Sequence, residues 1–220
     1  RIMREKKIRG SFASGGITGT LVDLFEEGLF RDLMDVQCFD RQAVESLKRN
    51  PRHQEVSAAR YASPASKSAL VDQLDIVILG ATQIDTDFNV NVHTDSQGMI
   101  MGGSGGHSDT AAGAKLSVIV APLIRARLPL IVDRVGTLST PGKDVDLLVT
   151  QFGMASNPQR PELEAALKEA GLPVFSIEDL KAKAESLTGI PAPVRPKGRP
   201  VARVISREGQ ELDVIRALEF

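Results

Sequence analysis

Eight consecutive residues, 102–109, hold the backbone and side chains best suited to chemistry in this sequence. They read Gly-Gly-Ser-Gly-Gly-His-Ser-Asp, follow the apolar run 99–101 and lead into the small residues of 110–115. Glycine permits left-handed backbone and lets amide N–H groups approach a ligand closely. The pattern predicts a ligand-binding loop between a strand and a small-residue helix or turn. A mobile surface loop is the alternative.

A second glycine-containing stretch lies near the beginning of the chain. A predicted strand, 8–13, ends in Ser14, Gly15 and Gly16, and helical spacing of apolar residues follows over 17–30. Amide groups at the beginning of a helix attract anions, so this turn is a candidate carboxylate site. A tight turn without a ligand fits the same residues equally well.

Polar residues alternate with apolar ones over 87–92, which predicts a strand with Asp87, Asn89 and Asn91 on one face. Asp85, Asp87 and Asn89, at alternate positions, invite comparison with a calcium-binding loop. That loop needs glycine and glutamate at its sixth and twelfth positions, where this chain has Val90 and Ser96, so we reject it.

The histidines and the cysteine indicate neither a metal site nor a thiol nucleophile. His93 and His107 lack the spacing to a carboxylate that a metal site requires, so we expect no metal. Cys38 lies in a predicted buried strand, 33–39, without a basic neighbour, and we expect a core residue and not a nucleophile. His53 lies in a polar stretch, 48–53, and is expected to be solvated.

The elements that position these residues alternate between strand and helix. The clearest strand is 75–80, and further strands are predicted at 116–121, 130–132 and 145–150. Asp40 and Ser176 are placed to begin helices, and Gly171 ends the helix 162–170. We expect an α/β domain over 1–190, built on an open, mostly parallel sheet with helices on both faces. A linker and a C-terminal hairpin follow over 191–220. Ligands of such sheets bind at the carboxyl ends of strands, where the three polar segments above could converge.

Composition excludes several classes of protein. The 220 residues carry a net charge of -1 and contain no Trp and one Tyr, so neither nucleic acid nor an anionic membrane is an expected partner. One cysteine excludes an intramolecular disulfide and suits a reducing compartment. No apolar run is long enough to span a bilayer and no signal peptide is evident, which together favour the cytoplasm. Because the chain begins with Arg, we expect a fragment or a processed chain.

Four segments together resemble the citrate lyase α subunit family: residues 80–85, 87–92, 101–115 and 149–150. The similarity runs from about Ile8 to Pro193 and resembles the C-terminal half of that subunit. The glycine loop with Asp109 is also similar to that of the CoA-transferase superfamily, whose fold is an open α/β sheet. Members of the family exchange acetyl for citryl on the phosphoribosyl-dephospho-CoA arm of an acyl carrier protein, releasing acetate.

The resemblance implies a cytoplasmic, oligomeric complex whose partners are the β subunit and the γ subunit, the acyl carrier. Citrate and acetate are then substrate and product, and no cofactor stays bound. One position departs from the superfamily pattern. Transferases with a covalent intermediate carry a glutamate where this chain has Gly15, and glycine cannot form an acyl-enzyme thioester. We therefore expect citrate to attack the acetyl thioester directly and to give a bound mixed anhydride.

This reaction needs stabilised oxyanions more than a nucleophile, and the resemblance therefore directs the catalytic role to the loop. The catalytic candidates are Gly103, Ser104, Gly105, Gly106, His107 and Asp109, with Asp109 orienting His107 or the loop. The candidates for binding citrate are Ser14, Gly15, Gly16, Asn89 and Asn91. Three alternatives remain open. Two are a transferase that uses free CoA and another acid, and a sugar-phosphate isomerase or metabolite-binding domain on a similar sheet. The third is a structural half that needs a missing N-terminal half to complete the site.

Overall fold

The computed structural model describes residues 1–192, 194 and 196–218, which fall into two compact units, Arg1–Leu70 and Val71–Phe220. The division therefore lies well before the one expected at residue 190. The hairpin predicted near the C-terminus is present and belongs to the second unit. Among the described residues, none of the helices combines the length and the apolar character needed to cross a bilayer.

The first unit is a three-stranded parallel sheet with helical crossovers. Its elements are α1 (Ile2–Lys6), β1 (Gly10–Ile17), α2 (Gly19–Glu26), β2 (Phe30–Cys38), α3 (Arg41–Arg49), β3 (His53–Glu55) and α4 (Ala58–Ala62). The strands lie in the order β1-β2-β3. Ile17, Val22, Phe25, Leu33 and Ala43 form its buried core. Asp40 begins α3 as predicted, since its carboxylate accepts a hydrogen bond from the Ala43 amide at 2.9 Å.

The prediction that β1 ends before Ser14 is wrong. The strand continues to Ile17, and a bulge in its pairing with β2 lies between Gly15 and Gly16. Gly16 is needed for packing, because a Cβ there would lie 1.8 Å from a ring carbon of Phe39. The helix predicted over 17–30 spans only Gly19–Glu26 in the structure. Phe30, the last residue of the predicted helix, instead begins β2.

The second unit contains most of the chain. Its strands are β4 (Val77–Leu79), β5 (Gln83–Asp85), β6 (Val90–Asn91), β7 (Ser117–Val120), β8 (Ile124–Arg125), β9 (Leu128–Pro129), β10 (Ile131–Val132), β11 (Leu147–Thr150), β12 (Gly153–Ser156), β13 (Pro200–Ile205) and β14 (Glu211–Arg216). Its helices are α5 (His107–Gly113), α6 (Pro161–Glu169) and α7 (Ile177–Thr188). Short 3₁₀ turns lie at Leu70–Gln73 and Gly142–Asp144.

The main sheet of the second unit has the order β12-β11-β7-β4, with β4, β7 and β11 parallel and β12 antiparallel. The predicted mostly parallel α/β architecture is confirmed, although the strands form several sheets and not one. The strands predicted from apolar runs at 75–80, 116–121 and 145–150 correspond to these three parallel strands. Residues of β7, β11 and α7, among them Ile119, Leu148 and Leu180, lie in one buried cluster.

The predicted strand 87–92 is wrong in its first half. Residues 83–91 form a hairpin in which β5 and β6 pair antiparallel, and the chain turns between them at 86–89. Phe88 has a positive φ of 64° and is buried, while Asp87 is exposed in the turn. Asp87, Asn89 and Asn91 therefore do not share one face of a strand.

Candidate active site

The glycine loop lies at the carboxyl end of strand β4. Its position is fixed by His107, the first residue of α5, whose Nε2 donates a hydrogen bond to the Gly80 carbonyl at 2.8 Å. Gly80 directly follows β4, and α5 leads on to the parallel neighbour β7. This is the edge of a parallel α/β sheet at which ligands bind. The predicted small-residue helix after the loop is thus present, but the strand predicted at 99–101 is not, because Ile100 forms only an isolated bridge with Thr94.

The loop backbone is exposed and presents unused donors. Within the described part of the chain, the amide N–H groups of 102–106 donate no hydrogen bond. A Cβ at Gly102, Gly103 or Gly105 would meet nothing within 4 Å, so no other described residue fills the space beside them. Gly105 has a φ of +56°, which a branched side chain strongly disfavours. The arrangement can offer several amide donors to one anionic group.

His107 anchors the loop to the rest of the second unit. It is 8% exposed, and its Nδ1 lies 2.8 Å from the Thr140 hydroxyl. Because the Gly80 carbonyl can only accept, Nε2 carries the proton, and Nδ1 of the neutral ring accepts from Thr140. Burial lowers the pKa of His107, which favours this neutral form. Both ring nitrogens are therefore engaged, and the ring offers no positive charge to an anionic ligand.

Asp109 does not orient His107, contrary to the prediction, because the two ring nitrogens of that histidine bind Gly80 and Thr140. Asp109 is half-buried in the first turn of α5. Burial raises the pKa of its carboxyl group, and the charge of Arg207 opposes that rise. A part in holding the loop stays a prediction for Asp109.

Asn89 and Asn91 belong to a network that ties the β5–β6 hairpin to its surroundings. Asn91 is fully buried, and its Nδ2 donates to Gln83 Oε1 and to Thr94 Oγ1, both at 3.0 Å. Asn89 donates to Asp85 Oδ2 at 3.2 Å and accepts from the Gly142 amide at 2.9 Å. Because these bonds use both donors of Asn91, its side chain would have to break them to bind a carboxylate. The geometry favours a supporting role for both residues.

Ser14, Gly15 and Gly16 lie in the first unit, within a strand and not at a helix N-terminus. The Ser14 hydroxyl donates to the Met34 carbonyl at 2.8 Å. The helix that follows begins at Gly19, and its Gly19 amide already donates to Asp40 Oδ2 at 2.6 Å. The Asp40 carboxylate therefore occupies the N-terminus of α2, where the sequence predicted that an anionic ligand could bind.

A second polar cluster was missed by sequence reasoning. His53 was expected to be solvated but is 3% exposed, and its Nε2 lies 3.1 Å from Asp35 Oδ2. The Cys38 thiol donates to the same oxygen at 2.7 Å. Burial, together with Asp35, raises the pKa of Cys38 to about 11, in agreement with the prediction that it is not a nucleophile. His53 lies 18 residues from Asp35 in sequence, and no local pattern indicated that the two would meet.

The lowered pKa of His107 predicts how stability depends on pH. Above about pH 6.5 the ring is neutral in both the folded and the unfolded state. As the pH falls below that value, the unfolded chain binds a proton that the folded chain resists, so the free energy of unfolding falls by up to about 1.4 kcal/mol per pH unit. Urea unfolding at pH 7 and pH 5.5 measures this slope. Burial lowers the pKa of His93 as well, which acts in the same direction.

The variant His107→Gln isolates the contribution of this residue. It removes the titrating group, so we expect a shallower loss of stability between pH 7 and pH 5.5 than in the unaltered chain. The variant His93→Gln serves as the matched comparison, because that ring is only partly buried. An unchanged slope in His107→Gln would contradict the assignment of a buried, neutral ring.

Parallel strands, a crossover helix and an exposed glycine loop at a strand end define a parallel α/β protein. The same fold occurs in RipA from Yersinia pestis, which aligns with a TM-score of 0.56 at 23% identity over 81% of this chain and 44% of that chain. At that identity, the likeness concerns the fold alone.

The chain belongs to the citrate lyase α subunit family. The family described as Citrate lyase, alpha subunit (CitF) matches residues 1–218. The citrate lyase alpha chain of Escherichia coli (strain K12) is 54% identical over 217 residues, which are 99% of this chain and 42% of that protein. A crystal structure described as the α subunit of citrate lyase in complex with citrate, from Streptococcus mutans, superposes with a TM-score of 0.96 at 46% identity. It covers 100% of this chain and 43% of that chain. The chain thus spans less than half the length of these relatives.

Proposed function

We propose that this chain contributes the acyl-transfer site of a citrate lyase α subunit, which exchanges acetyl for citryl on an acyl carrier protein and releases acetate. One observation carries the proposal: a loop of unused amide donors at the carboxyl end of β4, in a chain 54% identical to a citrate lyase alpha chain. The citrate named in the Streptococcus mutans structure supports the same substrate.

Two carbonyl additions complete the exchange. A citrate carboxylate oxygen attacks the acetyl thioester carbon, the C–S bond breaks, and the carrier thiolate leaves. The product is a mixed anhydride of acetate and citrate. The carrier thiolate then attacks the citryl carbonyl of the anhydride, the C–O bond breaks, and acetate leaves. No proton is gained or lost overall, and each addition passes through an oxyanion.

The loop residues Gly103, Ser104, Gly105 and Gly106 are proposed to stabilise these oxyanions through their backbone amides. One such donor contributes about 2.7–4 kcal/mol to the transition state of comparable reactions. A fixed loop is needed for this role, since donors that must reorganise during the reaction stabilise it less. The buried His107 ring, bonded to Gly80 and Thr140, supplies that fixation.

The lack of a suitable nucleophile at two positions of this chain supports a route without an acyl-enzyme. The resemblance implies that Gly15, which has no side chain to acylate, stands where transferases with a covalent intermediate carry a glutamate. The only cysteine, Cys38, keeps its proton, because burial and Asp35 raise the pKa of its thiol to about 11. Direct attack by citrate therefore fits the described residues better than a covalent intermediate.

The proposal assigns the partners and the place of action. The acyl carrier (γ) subunit would deliver the phosphoribosyl-dephospho-CoA thioester as a substrate, and the β subunit would cleave the citryl thioester. We propose that this complex works in the cytoplasm, which the single cysteine supports. Asn89, Asn91 and Asp109 are assigned to supporting the loop and its hairpin, while Ser14, Gly15 and Gly16 are no longer favoured as citrate ligands.

The test is acyl exchange followed by mass spectrometry. The chain, together with the remaining part of a citrate lyase α chain, is incubated with citrate and either acetylated carrier protein or acetyl-CoA. We expect a citryl thioester on the carrier protein. Exchange on free CoA alone would instead favour the related CoA-transferase, and binding without any exchange would favour the isomerase or metabolite-binding alternative.

A further inference from the structure

A polar cluster in the first unit combines three types of metal-ligating side chain. Asp35 and Cys38 lie on β2, and His53 begins the neighbouring parallel strand β3. Residues three apart on a regular strand point to opposite faces. The bulge opposite Gly15 and Gly16 adds one residue to β2 between Asp35 and Gln37, which brings Asp35 and Cys38 to the same side.

The pairing of β2 with β3 places His53 beside Asp35. His53 pairs with Leu33, and Asp35 pairs with Glu55, so His53 and Asp35 are diagonal neighbours on one face. One ligand atom from each of Asp35, Cys38 and His53 lies within 4.8 Å of the other two. Asp35 Oδ2 is central, at 2.7 Å from Cys38 Sγ and 3.1 Å from His53 Nε2.

The carboxylate of Asp35 is incompletely satisfied. Asp35 is 2% exposed, and its second oxygen, Oδ1, has no hydrogen-bond partner among the described residues. A buried polar atom left without a partner destabilises the folded state, and more so when it is charged. The hydrogen bonds of the cluster therefore leave a carboxylate oxygen available to a cation.

We propose that Asp35, Cys38 and His53 bind a thiophilic divalent cation of the Zn²⁺ class. Thiolate, imidazole and carboxylate are the ligands that Zn²⁺ takes in proteins, whereas Mg²⁺ and Ca²⁺ require oxygen ligands. Two negative charges, on Asp35 and on the Cys38 thiolate, balance the charge of the ion. Ligand atoms in a tetrahedral zinc site lie roughly 3.3–3.8 Å apart, so the present contacts need to open by less than about 1 Å.

Metal binding moves two protons. The Cys38 S–H bond breaks and its proton goes to solvent, since the thiolate is the ligand. His53 keeps one proton but carries it on the other nitrogen: Nε2 turns its lone pair to the metal, and Nδ1–H faces Ser46 Oγ, 3.0 Å away. The Ser46 hydroxyl can donate or accept, so it supports the ring in both states. Cys38 is partly exposed and provides the route of entry.

The test titrates the intact chain with Co²⁺ and with Zn²⁺. We expect one Co²⁺ per chain, a thiolate-to-cobalt charge-transfer band in the near ultraviolet, displacement of Co²⁺ by Zn²⁺, and a rise in the melting temperature on Zn²⁺ binding. Cys38→Ser should abolish the band, and Ser46→Ala should weaken Zn²⁺ binding about 10- to 100-fold. His93→Gln, in the second unit, is the matched histidine control and should leave both unchanged.

Two results would overturn the proposal. One is a Co²⁺ complex of the unaltered chain without the charge-transfer band, which needs no variant to fold. The other is Zn²⁺ affinity that is equal in the unaltered chain, in Cys38→Ser and in His53→Gln. Either result would leave the cluster as a hydrogen-bonded core of the first unit only.

Discussion

Replacing Gly105 with valine should lower the rate of citryl thioester formation by at least about 100-fold and change the free energy of unfolding by less than about 1 kcal/mol. Gly105 has a φ of +56°, and a left-handed conformation costs a residue with a Cβ about 1–2 kcal/mol. The loop relieves this strain by changing its backbone, because no neighbour within 4 Å holds the new side chain in place. The amide donors then leave the positions at which oxyanions form. Initial rates of carrier acyl exchange measure the loss.

Gly171→Val is the matched control for this experiment. Gly171 follows α6, has a φ of +71°, and would also place a Cβ in open space. The variant imposes the same kind of backbone strain at the end of a helix, so we expect an exchange rate close to that of the unaltered chain. A full rate in Gly105→Val, or an equal loss in both variants, would contradict a special role for the loop amides.

Replacing Asp85 with alanine should lower the free energy of unfolding by about 3 kcal/mol or more. Asp85 is 1% exposed and accepts four hydrogen bonds. The donors are Asp87 N at 3.1 Å, Asn89 N at 2.9 Å, Asn89 Nδ2 at 3.2 Å and Val135 N at 3.3 Å. Alanine removes the acceptor and leaves these groups unpaired at the turn of the β5–β6 hairpin. Denaturant unfolding measures the change.

Asp87→Ala tests whether the loss of stability comes from the hydrogen bonds of Asp85 or from removing a negative charge in this turn. Asp87 lies two residues away in the same hairpin, but it is exposed. An exposed substitution of this kind should stay within about 0.5 kcal/mol of the unaltered chain. Equal destabilisation by the two variants would show that the Asp85 carboxylate does not organise the turn.

Local signals in the sequence predicted most of the elements. Apolar runs predicted β4, β7 and β11. The core takes up Ile119 of β7 and Leu148 of β11, but only one face of β4 packs there, since Ile78 is 69% exposed. Capping residues fixed helix ends: the Ser176 hydroxyl accepts from the Asp179 amide at 3.0 Å, and Gly171 ends α6 in a left-handed conformation. The glycine loop and the helix after it also followed from local residue types.

The errors concern features set by residues distant in sequence. Alternation over 87–92 is compatible with a strand, but the segment folds as a turn and a short strand because Val135 and Gly142 donate to Asp85 and Asn89. The bulge in β2 leaves no mark in composition, so the burial of His53 against Asp35 was not predictable. The partners of His107, at positions 80 and 140, likewise lie far from the loop in sequence.

The transferase activity and the absence of an acyl-enzyme can be tested in one measurement. Intact masses of the carrier protein and of this chain are recorded from the same reaction, after acetylated carrier and citrate are mixed with the complete α chain. We predict that citryl carrier appears while the mass of the chain stays unchanged at every time point. A stable acyl adduct on the chain that hydroxylamine removes would contradict direct attack by citrate, and the absence of any citryl carrier would contradict the transferase itself.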